Sequence, residues 1–217
     1  MSLPLIPFYF VRHGETEANV ASQVAGWLDS PLTPKGRSQA EHLSRICERL
    51  EVKPTRIFHS DLSRARDTAH AVNNALNLEI TEDKELREHH VGTYEGNYGW
   101  DEVLALLSRG ETPDGGESRQ MFFDRMMTIF PDVIRSHNEP VLIVAHGGFM
   151  HQMQRFLGQD GQIVVNNCHL HYFEPWAENE KAPWKVYVFD EIDGKVVQSP
   201  ATWCPSIAKK TSNACCV

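Results

Sequence analysis

The stretch Val141–Ala145 (Val-Leu-Ile-Val-Ala) constrains this chain more than any other feature. Five consecutive apolar residues leave no polar face to turn to water, so a strand made from them is buried on both sides, as in a parallel sheet covered by helices. Such a sheet needs further strands and crossover helices, and the sequence alternates the two. Ile6–Arg12, Thr55–His59 and Leu78–Thr81 read as short strands. Thr33 as N-cap and Pro34 at the first helical position start a helix whose Ala40, Leu43, Ile46, Cys47 and Leu50 recur at three- and four-residue steps. Ser60–Leu76 is a second amphipathic helix, with Ala65, Thr68, Ala69, Val72 and Leu76 on one face. Asn97–His137 reads as helical but broken at Thr112–Gly116. A helix is expected at Phe149–Leu157, then strands at Ile163–Glu174 and Lys185–Glu191, the second turning at Asp193-Gly194 as a hairpin does.

The expected fold is therefore α/β: a three-layer sandwich with a mostly parallel central sheet, helices on both faces and a helical lid insert at about residues 97–137. With 217 residues, one domain over 1–198 is expected, followed by a loosely ordered tail over 199–217, which lacks any hydrophobic period. A net charge of −8 opposes a general nucleic-acid binder, which needs a basic surface to displace phosphate counterions. Apolar runs fall far short of the ~20 residues that cross a bilayer, so no membrane partner is expected. Met1–Val11 has no basic segment of the signal-peptide kind, and Cys47, Cys168, Cys204, Cys215 and Cys216 form no C-x-x-C, so they read as free thiols of a cytoplasmic protein. Cys215 and Cys216 stand one place too late for a prenylation signal.

Two strands end in the same chemistry: Val11-Arg12-His13-Gly14 and Val144-Ala145-His146-Gly147-Gly148. Ligands of open α/β sheets sit beyond the carboxyl ends of the strands, and the glycines let the backbone turn sharply there. One histidine after a strand is ordinarily a packing residue, but two at the ends of parallel neighbours point into one pocket. Arg12 adds a fixed cation whose fork matches phosphate oxygens two at a time. Arg64, near a helix start, suits an anion, although pairing with Asp61 or Asp67 fits its local sequence equally well. Glu88 is placed to supply a proton, yet alone it reads as an ordinary surface carboxylate.

Arg12-His13-Gly14-Glu15-Thr16 with Asn19 resembles the signature of the histidine phosphatase superfamily, in its phosphoglycerate-mutase-like branch. Further stretches fit in the same order: Gly26–Thr33 with Gly36, Ser60-Asp61-Leu62 with Arg64-Ala65 and Thr68-Ala69, Leu86-Arg87-Glu88 with Gly92 and Glu95-Gly96, Gly115–Ser118, and Ala145–Gly148. The resemblance runs over about residues 8–174. It implies a small phosphatase in which His13 is the nucleophile and becomes transiently phosphorylated. Arg12, Arg64 and a protonated His146 would hold the phosphoryl oxygens, helped by Asn19 and Gly147. Glu88 would protonate the leaving alkoxide and then activate water. The other nitrogen of His13 should donate to a backbone carbonyl. No metal and no cofactor are implied, since positioned cations suffice for phosphoryl transfer. The implied partner is a small phosphorylated substrate, with monomer and homodimer both open.

The chain departs from this family in places. Gln23 and Ala25 stand where many relatives carry a basic residue and a glutamine, and Cys168, His169 and His171 stand where small residues are usual. Tyr98, Trp100 and Phe122 are expected to line the lid with apolar surface. The mutases of the superfamily carry a longer, basic insert after the acid motif. Here Asn97–Gly116 sets only Arg109 against Asp101, Glu102, Glu111 and Asp114, which favours a phosphatase over a mutase. Two other readings are weighed: a catalytically silent interaction protein of the same fold, which the intact Arg12, His13, Arg64, Glu88 and His146 oppose, and a metallohydrolase using His89-His90 and His169-x-His171.

Overall fold

The computed structural model describes residues 4–97, 99–135, 139–156, 162–176, 178, 184–201 and 203–204. Its centre is a seven-stranded sheet. The strands β1 (Phe8–Arg12), β2 (Arg56–His59), β3 (Glu79–Glu82), β4 (Val141–Ala145), β6 (Leu170–Pro175), β7 (Trp184–Ile192) and β8 (Lys195–Pro200) lie in the order β3-β2-β4-β1-β6-β7-β8. A separate two-stranded ribbon joins β5 (Gln162–Ile163) to β9 (Trp203–Cys204). Helices are α1 (Glu17–Val20), α2 (Pro34–Glu48), α3 (Ser63–Leu76), α4 (Trp100–Ser108), α5 (Arg119–Arg135) and α6 (Gly147–Phe156).

The sheet is mixed, which corrects the mostly parallel expectation. β3, β2, β4 and β1 run parallel, whereas β6, β7 and β8 each pair antiparallel with their neighbours. A parallel step needs a crossover of a dozen or more residues. After α6 the described chain offers no such helix, and β7 returns to β8 through a tight turn. Its residues Asp193-Gly194 are both at positive φ (50° and 72°), the geometry that matches a twisted hairpin.

β4 is buried at all five positions, as its composition requires. Its residues alternate between two cores. Val141, Ile143 and Ala145 join Phe8, Phe10 and Phe173 with α5 and α6, while Leu142 and Val144 join Tyr9, Val11 and Ile57 with α2 and α3. Thr33 caps α2, its hydroxyl accepting from the Gly36 N–H at 2.9 Å.

Helix α5 is not a lid. Phe122, Met126, Phe130, Val133 and Ile134 make a stripe at helical spacing that is buried in the main core, with the Phe130 ring edge-on to Phe8 at 5.3 Å. Phe122 likewise belongs to this core rather than to a lid lining. Only α4 stands apart, on a small cluster of Val24, Val91, Val103 and Leu107 against which Trp100 packs. Tyr98 lies outside the described residues.

Two boundaries also move. Ile163–Glu174 is not one strand: residues 164–169 form a loop, with Cys168 at φ 55°, that reaches the sheet's carboxyl edge. The ordered chain extends past 198, because Ser199 and Pro200 pair with Val188 and Tyr187 in β7, and Trp203–Cys204 pairs with β5. Residues 205–217 lie outside the described residues.

Because α5 is core, Phe130→Ala should cost about 3–5 kcal/mol in a urea titration, the usual range for a buried aromatic. For a chain of this size that lowers Tm by ~6–20 °C. A lid residue would leave Tm unchanged.

Candidate active site

The register of two strands builds the site. β1 and β4 are parallel and pair Val11 with Val144 and Arg12 with Ala145, so His13 and His146 leave the sheet side by side. The His13 N–H still donates to the Ala145 carbonyl (3.0 Å), and the two imidazole centroids lie 5.2 Å apart at 60°. Gly14 turns the chain away. Its N–H donates to Thr68 Oγ1 (3.0 Å), and a Cβ there would fall 2.6 Å from the Gly36 carbonyl, so only glycine fits.

His13 Nδ1 sits 2.8 Å from the Gly14 carbonyl oxygen. A carbonyl has no proton to give, so Nδ1 carries the hydrogen and Nε2 keeps a free lone pair. Burial pushes the His13 pKa well below the usual histidine value, and the Arg64 and Arg12 guanidiniums push it further. His146 is fully buried and lowered in the same way, by burial first and then by Arg64, His13 and Arg12. That direction favours an uncharged His146 over the protonated one that the resemblance implies, because burial first and then the two guanidiniums oppose a further charge.

Arg12, on β1, donates through Nη1 to the Val165 carbonyl (3.0 Å) in the 164–169 loop. That loop is tied back to the site by the Cys168 N–H on the Arg12 carbonyl (2.9 Å) and by Asn167 Nδ2 on the His13 carbonyl (2.8 Å). Arg64 stands in the first turn of α3, 1% exposed, donating to the carbonyls of Leu28 (2.9 Å) and Gly26 (2.7 Å). Its alternative partners are taken: Asp61 pairs with Arg87, and Asp67 with Arg66. Each guanidinium keeps N–H groups not spent on carbonyls. Arg12 Nε and both ring nitrogens of His146 are buried with no partner among the described residues. Buried donors and acceptors are rarely left unpaired, so these orphans mark where an anion fits.

Asn19, on α1, closes a capping box with Thr16: its Oδ1 accepts from the Thr16 N–H (3.2 Å) and from Asn167 Nδ2 (3.3 Å). Glu88 follows a short 3₁₀ turn at Lys84–Leu86, and its carboxylate accepts from the N–H groups of His89 (2.8 Å) and Gly148 (2.9 Å). A Cβ on Gly148 would lie 2.2 Å from Glu88 Oε1, which explains the second glycine after His146. Gly147 opens α6 beside Arg12, where a Cβ would make only ordinary contact at 3.5 Å. All six predicted side chains, Arg12, His13, Asn19, Arg64, Glu88 and His146, thus border the carboxyl edge of β1 and β4.

The other histidines have separate tasks. His89 stacks on Phe122 (4.7 Å) with Nε2 on the Glu117 carbonyl, and His90 stacks on Trp27 (4.4 Å). His171 is fully buried between the carbonyls of His169 and Val164, with its pKa lowered to about 4, chiefly by burial and then by His169. Among the described residues no group of three or more His, Cys, Asp or Glu side chains is placed to hold a metal. Sequence reasoning missed Arg125, Trp27 and Asn167, which touch the backbones of the site residues. Arg125 had a signal: a charged residue between Phe122 and Met126, inside the apolar stripe of α5.

The family model of the histidine phosphatase superfamily (branch 1) matches residues 8–181. The chain belongs to this superfamily. A putative phosphoserine phosphatase 2 from Hydrogenobacter thermophilus is 36% identical over 75% of this chain and 83% of its own length. A metal-independent phosphoserine phosphatase from Arabidopsis thaliana is 37% identical over 64% of this chain and 63% of its own. The mycobacterial glucosyl-3-phosphoglycerate phosphatase in complex with VO3 superposes with a TM-score of 0.71 at 27% identity, over 83% of this chain and 97% of that one. Other relatives carry phosphoglycerate-mutase names. The phosphatase names support a phosphatase of this superfamily. No helix among the described residues is long and apolar enough to cross a membrane.

The histidines make stability depend on pH in a defined window. His13, His59, His89, His146, His151 and His171 all have folded pKa values below the usual 6.5, burial being the first cause in each. Below pH ~6.5 the unfolded chain takes up protons that the folded chain refuses, so stability falls with acid, by up to about 1.4 kcal/mol per pH unit per histidine. Carboxylates with lowered pKa act only below pH ~4.5, outside this window. Urea midpoints should therefore drop steeply between pH 6.5 and 5. A flat profile there would contradict the buried, neutral histidines.

Proposed function

We propose that this chain hydrolyses a small phosphomonoester through a phosphohistidine on His13. The observation that carries the reading is the Gly14 carbonyl on His13 Nδ1, which leaves the Nε2 lone pair free on a ring that feels the charges of Arg64 and Arg12. Nε2 attacks phosphorus, the bond from phosphorus to the ester oxygen breaks, and its electron pair leaves with that oxygen. Arg12 and Arg64 hold the phosphoryl oxygens, with Asn19 and the α6 start at Gly147 beside them. An arriving dianion supplies the opposite charge that His146 otherwise lacks, so His146 hydrogen-bonds an oxygen and can take up a proton. Glu88 gives its proton to the departing alkoxide. In the second half it takes a proton from water, the water oxygen attacks phosphorus, and the N–P bond breaks to restore His13.

The cationic work of the reaction falls to the two arginines, so no metal is required in this scheme. The relatives' phosphatase names support the phosphatase reading, and so does the α4 segment. Arg109, its only cation, is exposed and paired with Glu111, which leaves nothing there to grip the second phosphate of a bisphosphate. Two other carboxylates of the family motifs are already engaged: Glu117 is held by Arg125, and Glu15 by Lys35 and Thr33.

Rapid quench of the protein with p-nitrophenyl phosphate radiolabelled in its phosphate should trap label on His13, stable to alkali and lost in acid. The His13→Ala variant should trap none and lose turnover by at least ~10³-fold. Label on another residue would overturn the mechanism.

A further inference from the structure

Arg125 lies close to the acid yet has nothing left to offer a substrate. A guanidinium has five N–H groups, and here all are committed. Nε and Nη2 each reach one oxygen of Glu117 at 2.8 Å. Nη1 donates to the main-chain carbonyls of Glu85 (2.8 Å) and Arg87 (3.0 Å), and Nη2 to that of Glu88 (3.0 Å). Three carbonyl dipoles of one short segment repel each other when they converge, and they converge here because a planar cation stands at their centre. Glu117 balances that charge and also accepts from the His90 N–H (3.0 Å), while its own N–H donates to the His90 carbonyl (2.8 Å). Trp27 Nε1 adds a second donor on the Glu88 carbonyl at 2.7 Å.

The Glu88 main chain is thus fixed from one side by Arg125 and Trp27, and its carboxylate from the other by the N–H groups of His89 and Gly148. We propose that Arg125, held by Glu117, is the positioning residue that sets the carboxylate of Glu88 within reach of the leaving oxygen; this rests on the reading of Glu88 as the proton donor. A proton donor must come within ~2.6–3.2 Å of the oxygen it serves. An error of ~1 Å costs up to ~10²-fold in rate. Lysine keeps the charge but offers three donors from one point, and cannot hold three carbonyls and a carboxylate in one plane.

The test compares two leaving groups. Nitrophenolate departs without a proton, whereas an alkyl phosphate such as phosphoserine or 3-phosphoglycerate needs one. Glu88→Gln, Arg125→Lys, Glu117→Gln and the double variant E88Q/R125K are measured on p-nitrophenyl phosphate and on the better of the two alkyl phosphates, with Tm recorded for each. R125K and E117Q should lower kcat/KM, which reports phosphorylation of His13 and not the shared hydrolysis step, about 10- to 100-fold on the alkyl phosphate. They should change kcat/KM on p-nitrophenyl phosphate less than ~3-fold and leave inhibition by inorganic phosphate near wild type. The double variant should be no slower than E88Q on the alkyl phosphate, because a misplaced acid and an absent one are the same defect. Equal slowing of both substrates by folded R125K and E117Q, no slowing of either, or additive losses in the double variant would overturn the positioning role. If R125K does not fold, E117Q carries the same comparison. If E88Q itself slows both substrates equally, the proton-donor reading fails first and takes this proposal with it.

Discussion

The parallel pairing of β1 with β4 is the constraint on which the rest depends. It sets Arg12 opposite Ala145, so the next residue of each strand is a histidine entering the same space. Neither strand can slip. A shift of one residue would turn Phe8 and Phe10 from one core into the other and carry both imidazoles to different faces. The precision of the site is thus inherited from two buried apolar strands, and the glycines at 14, 36 and 148 allow backbone and carboxylate to close around it at distances no Cβ permits.

Into this space the fold places Arg12 and Arg64, neither paired directly with a carboxylate among the described residues; both donate to main-chain carbonyls. Burying such cations costs free energy unless they are hydrogen-bonded or meet an anion. Carbonyls offset part of that cost, while Arg12 Nε and the His146 nitrogens have no partner among the described residues. Burial lowers both histidines and the same positive field lowers them further, which favours an unprotonated, nucleophilic His13 beside the arginines. Cation binding and nucleophilicity are therefore one electrostatic arrangement. Around it, the 164–169 loop holds Arg12 and the Arg125–Glu117 pair holds the segment of Glu88.

Much of this was legible in the sequence, for local reasons. Five apolar residues name a buried strand, Thr33-Pro34 names a capped helix start, and Asp193-Gly194 names a hairpin. His13 and His146 were legible because each follows a strand and precedes a glycine, whereas Asn19 and Glu88 became legible only through the family resemblance. Strand direction was not, since alternation of elements does not say whether β6 returns beside β1 by a crossover or by a loop. The α5 stripe of Phe122, Met126 and Phe130 fits a lid face and a core face equally until its partners Phe8 and Phe149 are known. Arg125 escaped because its partners are main-chain carbonyls some 40 residues away, which leave no pattern in side-chain sequence. The lowered pKa of His146 likewise depends on its burial and on the joint position of Arg64 and Arg12.

The claim on which the account turns is that His13 is neutral, with its proton on Nδ1. Nitrogen-15 NMR of the protein labelled at histidine, titrated from pH 8 to 5 and assigned with His13→Gln, reads this directly. The account predicts a protonated Nδ1 and a bare Nε2 for His13 at pH 7, with titration beginning only well below 6.5. An imidazolium at pH 7, or a neutral ring carrying its proton on Nε2, would contradict it.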